Sequence, residues 1–316
     1  MPIFLREHDV ENLLTMPAAL TRVEEALRDF GLGNAQNRPR QRVRASGVLQ
    51  VMTASWTARG YMGFKAYTAF RSGTRFYFHL FDSNTGEYLA IMEGDRLGQM
   101  RTGAASGVAA KYLARPDAKI LGMLGCGWQA ESQLEAVCAV RPIERVFCYS
   151  REELHRNAFA EKMSERVGIP VRAVANAEEA VREADIVNAI TTASSPVLHG
   201  EWLKTGAHVN AAGVNWAQRR EVDSETLRRA DAIFADSVEQ AHWEAGDLLI
   251  PILEGVIGWQ QVQELGLLVA GRTQGRTHAD AITFFKSQGI ALEDVAVGSL
   301  VYERARAEGI GTALPF

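Results

Sequence analysis

The stretch Ala118–Val137, AKILGMLGCGWQAESQLEAV, constrains the fold more than any other part of the chain. The apolar run Ile120–Leu124 reads as a buried strand, Gly125-Cys126-Gly127 as a turn, and the residues from Trp128 onward as a helix. Gly125, Gly127 and Ala130 give the spacing G-x-G-x-x-A. In such a turn the first glycine permits the tight bend and the second lets a pyrophosphate approach the backbone. The small third residue lets helix and strand pack. The helix N-terminus adds free N–H groups and the positive end of a dipole.

A lone glycine turn is weak evidence, so its context matters. From Lys119 onward, "KILGML", "RVFCYS", "VRAV", "DIVNAIT", "HVNAAG" and "AIFAD" alternate with polar helical stretches. That alternation predicts a parallel sheet with helices on both faces. The N-terminal third differs. Pro17–Phe30 has the apolar spacing of an amphipathic helix, and "RQRVRASGVLQVM", "YMGFKAYTAF" and "RFYFHLFDSNTGEYLAIME" are strand-like, the last with a hairpin turn at Asn84-Thr85-Gly86. "RLGQMRTGAASGVAAKYLA" reads as a helix whose small residues permit close approach of another backbone, and "EDVAVGSLVYERARAEG" as a final helix returning to the first domain. The expected architecture is α/β: a Rossmann-type doubly wound parallel sheet, residues 119–283, inserted into a β-rich α+β domain formed by 1–118 and 284–316. A chain of 316 residues accommodates two domains.

Composition excludes several classes of function. A net charge of −4 offers no electrostatic footprint for nucleic acid or anionic membrane. No apolar run approaches the roughly 18 residues of a membrane helix, and Arg6, Glu7 and Asp9 interrupt any signal-peptide core, so a cytoplasmic protein is expected. Cys126, Cys138 and Cys148 lack metal-ligand spacing, as do His199, His208, His242 and His278, and no metal is expected. Reduced thiols and core or loop histidines are the reading.

A dinucleotide domain carrying hydride chemistry needs a charge anchor and a proton donor beside it. Lys65, inside the apolar "GFKAY", either snorkels at a strand edge or sits where desolvation lowers its pKa. Arg101 and Thr102, opening "MRTGAAS", suit an anion at a helix N-terminus, or Arg101 is a surface residue. Arg40, Arg42 and Arg44 alternate along one strand face, of which at most one or two are expected to bind ligand. At the end of the second strand, Ser150 and Arg151 stand where an acidic residue would bond the ribose of NAD. NADP(H) is therefore favoured over NAD(H), with Glu152 and Glu153 close by and a solvated helix-start role for Arg151 as the alternative. Asp294 reads as a cap of the last helix and Cys126 as a small packing residue.

In this order along nearly the whole chain, "GFKAY", "DSNTGEYLA", "MRTGAASGVAAKYLA", "LGCGWQA", "ADIVNAITTASSPVL", "GAHVNAAGVNWAQRREVD" and "FFKSQGIALEDVAVGSLVYERA" resemble the ornithine cyclodeaminase/μ-crystallin family. The resemblance implies a homodimer joined through the β-rich domains and a pocket between domains. It implies Lys65 as the active-site lysine, Arg101 as the carboxylate-binding arginine, and Arg40 or Arg42 as a second substrate anchor. On the cofactor side it implies Thr102, Gly125, Gly127, Trp128, Gln129 and Ala130, with Ser150, Arg151, Thr191, Ala212 and Gly213. It also implies Asn215 as a substrate neighbour, at the position where family members that deaminate and cyclise ornithine carry an aspartate. An amide is neither a general base nor a counter-charge for an ammonium. The expected activity is thus NAD(P)H-dependent reduction of small 2-imino acids, cyclic ketimines included, or amino-acid dehydrogenation in reverse. The other readings are an ornithine cyclodeaminase-type ammonia lyase with tightly bound NAD, and an NADPH-linked small-molecule binding protein of μ-crystallin type.

Overall fold

Along Tyr61–Phe70, alternate side chains point to opposite faces, and the face carrying Gly63 and Lys65 is the buried one. This strand lies in the interior of the first sheet, with a neighbour on each side. The computed structural model describes residues 1–316. The chain opens with β1 (Ile3–Leu5), α1 (Glu7–Leu13) and α2 (Met16–Gly31), whose buried Ala19, Val23, Ala26 and Leu27 recur at helical spacing. β2 (Gln36–Asn37), β3 (Gln41–Arg44), β4 (Val48–Trp56), β5 (Tyr61–Phe70), β6 (Gly73–Asp82) and β7 (Tyr88–Glu93) follow. Gly86 (φ +76°) closes the β6–β7 turn. α3 (Asp95–Leu113) leads to β8 (Ile120–Leu124), α4 (Trp128–Val140), β9 (Arg145–Tyr149), α5 (Glu153–Val167) and β10 (Val171–Ala173). Next come α6 (Ala177–Val181), β11 (Ile186–Ala189), β12 (His208–Ala211), α7 (Ser224–Arg228), β13 (Ala232–Ala235), α8 (Val238–Glu244) and α9 (Gly246–Leu253). β14 (Val262–Glu264), α10 (Leu265–Val269), β15 (Thr283–Lys286), α11 (Ala291–Glu308) and β16 (Thr312–Ala313) complete it.

The chain divides into two compact units, 1–101 with 289–316, and 102–288. In the first, the sheet order is β16-β1-β7-β6-β5-β4-β2, with β3 also paired to β4, and antiparallel pairing dominates. α11 packs against β4, β5 and α2. It approaches closely because Gly298 lies over the Phe78 ring, where an added Cβ would stand 2.3 Å from a ring carbon. In the second unit all pairings are parallel, in the order β10-β9-β8-β11-β12-β15-β13-β14. Strand order reverses between β8 and β11, the crevice where doubly wound sheets bind dinucleotides. Buried His208 keeps its proton loosely, its pKa pushed down to about 3 by burial and Arg276, and bridges Thr283 and Asn210 within this sheet as a neutral ring. No helix is long and apolar enough to cross a membrane.

Both boundaries differ from those expected at 118/119 and 283/284. The first falls inside α3 because its small-residue half belongs to the second core: Ala110, Ala114 and Ala118 cluster with Leu134 and Val137. A Cβ on Gly103 would lie 2.4 Å from the Ser132 carbonyl, so α3 and α4 touch at backbone distance. The second boundary moves because "TFFK" is not domain-ending chain but β15, inserted between β12 and β13. Four buried residues in a row carry no alternation by which to recognise a strand.

Candidate functional site

Two groups of residues account for nearly all of the expected site. The first lies in the second unit. Gly125 has φ +109° and accepts no side chain, since a Cβ there would stand 2.2 Å from the Ile190 carbonyl oxygen. Its amide donates to Tyr149 O at 2.8 Å, fixing the turn between β8 and α4 against the end of β9. Gly127 is different: a Cβ there would meet nothing within 4 Å. The protein itself leaves that space open, directly at the N-cap of α4, and no side chain caps the helix. An open approach at an uncapped helix N-terminus fits a pyrophosphate.

Ala130 is fully buried against this core, Gln129 is half-buried and Trp128 is exposed. Ser150 is half-buried, and its carbonyl accepts from Arg156 Nη1 at 3.2 Å. Arg151 is exposed beside it. Glu152 pairs outward with His155 at 3.3 Å, so no carboxylate occupies the end of β9 itself. Thr191 follows β11, and Ala212 and Gly213 follow β12. Thr102 is buried, and its carbonyl accepts from Gln133 Nε2 at 3.1 Å.

The second group lies in the first unit. Lys65, 2% exposed on β5, donates to Asp294 Oδ1 at 2.8 Å. Arg101 Nε donates to the same oxygen at 3.0 Å, and its Nη1 to Glu293 Oε2 at 3.0 Å. Arg40 is buried, its Nη2 donating to the Gly289 carbonyl at 3.0 Å. Burial, with the positive charges of Arg101 and Arg40 beside it and despite the support of Asp294, pulls the Lys65 pKa down to about 8. A lysine so placed exchanges its proton near neutral pH, which is what a general acid or base requires. Gly289 (φ +70°) makes room for the guanidinium, since a Cβ there would lie 2.3 Å from Arg101 Nη1.

Two expectations need correcting. Arg101 and Thr102 are not at a helix N-terminus: α3 begins at Asp95, so any anion held by Arg101 is held by the guanidinium rather than by helix-end amides. Asp294 does not cap α11, whose N-cap is Ile290; it is the fully buried partner shared by Lys65 and Arg101. The arginines also separate, Arg40 lying beside Lys65 while the half-buried Arg42 turns to Gln50 Oε1 at 3.1 Å, which Tyr67 also contacts. Asn215 is half-buried in the loop after β12, in the other unit. Glu293, Asp294 and Gly289 are thus additions to the site. Two adjacent acids inside the apolar run Ile290–Val297 were the signal for the first two.

Comparison with known proteins extends over the same length. The model of the ornithine cyclodeaminase/mu-crystallin family matches residues 1–309. A Bacillus cereus Delta(1)-pyrroline-2-carboxylate reductase is 43% identical over 238 residues, covering 75% of this chain and 73% of that protein. The structure of Thermococcus litoralis Delta(1)-pyrroline-2-carboxylate reductase, in complex with NADH and L-proline, superposes with a TM-score of 0.95 at 38% identity, covering 99% of this chain and 100% of the other. An archaeal alanine dehydrogenase dimer with bound NAD superposes with a TM-score of 0.94 at 35% identity, covering 100% and 99%.

Proposed function

The chain belongs to the ornithine cyclodeaminase/mu-crystallin family, and from that premise we propose that it is an NAD(P)H-dependent reductase of small 2-imino acids, cyclic ketimines included, able to run as an amino-acid dehydrogenase in reverse. One observation carries the reading: a buried lysine, its pKa pulled down to about 8 by burial and by Arg101, shares a carboxylate with a buried arginine. When bound, the dinucleotide supplies the hydride. Arg101, with Arg40, holds the substrate carboxylate. Lys65 places a proton on the imine nitrogen, which makes the carbon a better hydride acceptor. Asp294 keeps the Lys65 ammonium charged and in position. Asn215, an amide, has no proton-transfer role, and this sets cyclodeamination aside. The test is a screen of purified protein with NADPH and NADH against cyclic imino acids, pyruvate with ammonia and pyruvate with methylamine. Turnover of at least one is expected, and ammonia release from ornithine without net reduction would overturn the assignment.

NADPH is the cofactor we assign, because Arg151 and the Arg156 beside Ser150 bring positive charge where NAD-binding sheets carry an acid. Replacing Arg151 with alanine is expected to weaken NADPH binding about tenfold, the worth of one charge-assisted bond, with NADH binding unchanged. Fluorescence titration decides it, and a parent protein that prefers NADH would show the strand end to be misread.

The chain also works as a homodimer in this proposal. The face of the first sheet opposite Lys65 carries stacked Phe64 and His79, with ring centroids 4.2 Å apart, and Phe81 edge-on to Tyr88 at 4.8 Å. An open cavity of about 360 Å³ lies among Met62, Phe64, Phe81 and their neighbours. An aromatic sheet face of this kind suits a protein partner. Sedimentation should give twice the 34.7 kDa chain mass at micromolar concentration, and a monomer there would rule the dimer out.

A further inference from the structure

The mechanism leaves one buried carboxylate of the second unit without a role. Glu221 is fully buried in the segment between β12 and α7. Its two oxygens reach two different loops: Oε1 accepts from the Thr191 amide, after β11, and Oε2 from the Gly213 amide, after β12, at 2.6 Å. The loops also touch directly, because a Cβ on Gly213 would lie 2.3 Å from Thr191 N and 2.5 Å from Glu221 Oε1. Glu221 is held in turn. Its own amide and that of Val222 donate to Asp247 Oδ1 at 2.7 and 3.1 Å. Asp247 pairs with Lys286 at 2.8 Å, and Lys286 donates to Ala211 O and Val214 O at 3.2 and 2.6 Å. Glu221, Asp247 and Lys286 are all fully buried.

Burying two carboxylates beside one ammonium is costly, and burial together with Asp247 raises the Glu221 pKa. Neighbouring strand ends are already joined by the β11–β12 ladder, so the fold itself does not require this charge. What the charge adds is a fixed spacing between two loops at the C-terminal edge of the sheet. In a doubly wound sheet each half takes one mononucleotide, and the first glycine turn and second strand end take the adenine side. The loops after β11 and β12 then belong to the other half. On the reading that the second unit binds a dinucleotide, we propose that Glu221 is a positioning residue for the nicotinamide half: it clamps the Thr191 and Gly213 loops at the separation that half requires, its carboxylate bonding those two amides while the Gly125–Gly127 turn is held separately, by the Tyr149 carbonyl and by packing on Ile190.

The experiment compares two probes on the parent protein, Glu221→Gln and Glu221→Asp. NADPH contains both halves, and 2′,5′-ADP contains only the adenine side. Glutamine keeps the shape but offers an NH₂ to one of two N–H donors, and aspartate keeps the charge but is one methylene short of spanning both loops. Each variant is expected to bind NADPH and NADH about tenfold or more weakly, one charge-assisted hydrogen bond lost, with 2′,5′-ADP affinity within about twofold of the parent, under a tenfold change being below what such a bond contributes. The NADPH-to-NADH ratio is expected to stay constant, which separates Glu221 from Arg151. Equal loss of dinucleotide and 2′,5′-ADP would mean general damage to the unit, and full retention of both would mean no clamp; either overturns the inference. A parent that binds neither probe overturns the dinucleotide reading itself.

Discussion

Alanine at position 65 is expected to lower imino-acid turnover by about 10²- to 10⁴-fold, the usual contribution of a positioned general acid, with NADPH affinity nearly unchanged. The two readouts separate because Lys65 stands on β5 in the first unit, whereas the glycine turn belongs to the second. The pH dependence adds a signature. Burial and the neighbouring arginines lower the Lys65 pKa to about 8, so the ammonium is present below that pH and lost above it. Reduction, which consumes the acid form, is expected to slow as pH rises through about 8. Oxidation of the amino acid, which needs the neutral amine as base, should speed up over the same interval. Both limbs should vanish in Lys65→Ala. Parent-level reduction by that variant, or a pH profile flat between 7 and 9 in the parent, where roughly the range of one titration is spanned, would make the lysine structural.

The second large effect belongs to Arg101, and the structure changes what it should be. Its guanidinium already serves Glu293 and Asp294, which are 1% and 0% exposed. Arg101→Ala therefore breaks a buried ionic cluster as well as removing an anchor. A loss of about 3–5 kcal/mol of stability is expected, seen as a lowered thermal midpoint, and it would obscure the kinetics. Arg101→Lys keeps the charge while giving up the planar fork that grips a carboxylate with two parallel bonds. For this variant we expect a raised KM for the acid substrate with a much smaller change in kcat, and a midpoint closer to the parent's. Should Arg101→Lys retain the parent KM, the anchor lies elsewhere, with Arg40 the next residue to replace.

Several features were legible from local pattern because local physics decides them. The turn at Gly125 required a residue tolerant of positive φ, and the alternating strands and helices after Lys119 required a parallel sheet. Lys65 and Arg101 stood out as charges among apolar or small neighbours. The order of motifs along the chain carried the family, and the family model matches 1–309.

The rest depended on separations that no local pattern encodes. Asp294 lies 229 positions from Lys65 and 193 from Arg101, yet one of its oxygens accepts from both. As a residue in the first turn of a helix it looked like a cap; only the packing of α11 on β5 made it the centre of the charged cluster. The same packing distinguished Arg40 from Arg42, which share a strand pattern but not a burial depth. β15 was hidden because a strand buried on both faces has no polar alternation, and the second unit boundary moved with it. Glu221 is one acid in the stretch "RREVD", and nothing local signals that the sheet brings two loop amides to its oxygens. The sequence by itself determined the element types, the glycine turn and the kinds of charge available for catalysis, all set by dihedral preference and periodicity. Tertiary structure alone decided which charges meet, because Coulomb and hydrogen-bond energies act over a few ångströms of space rather than along the chain.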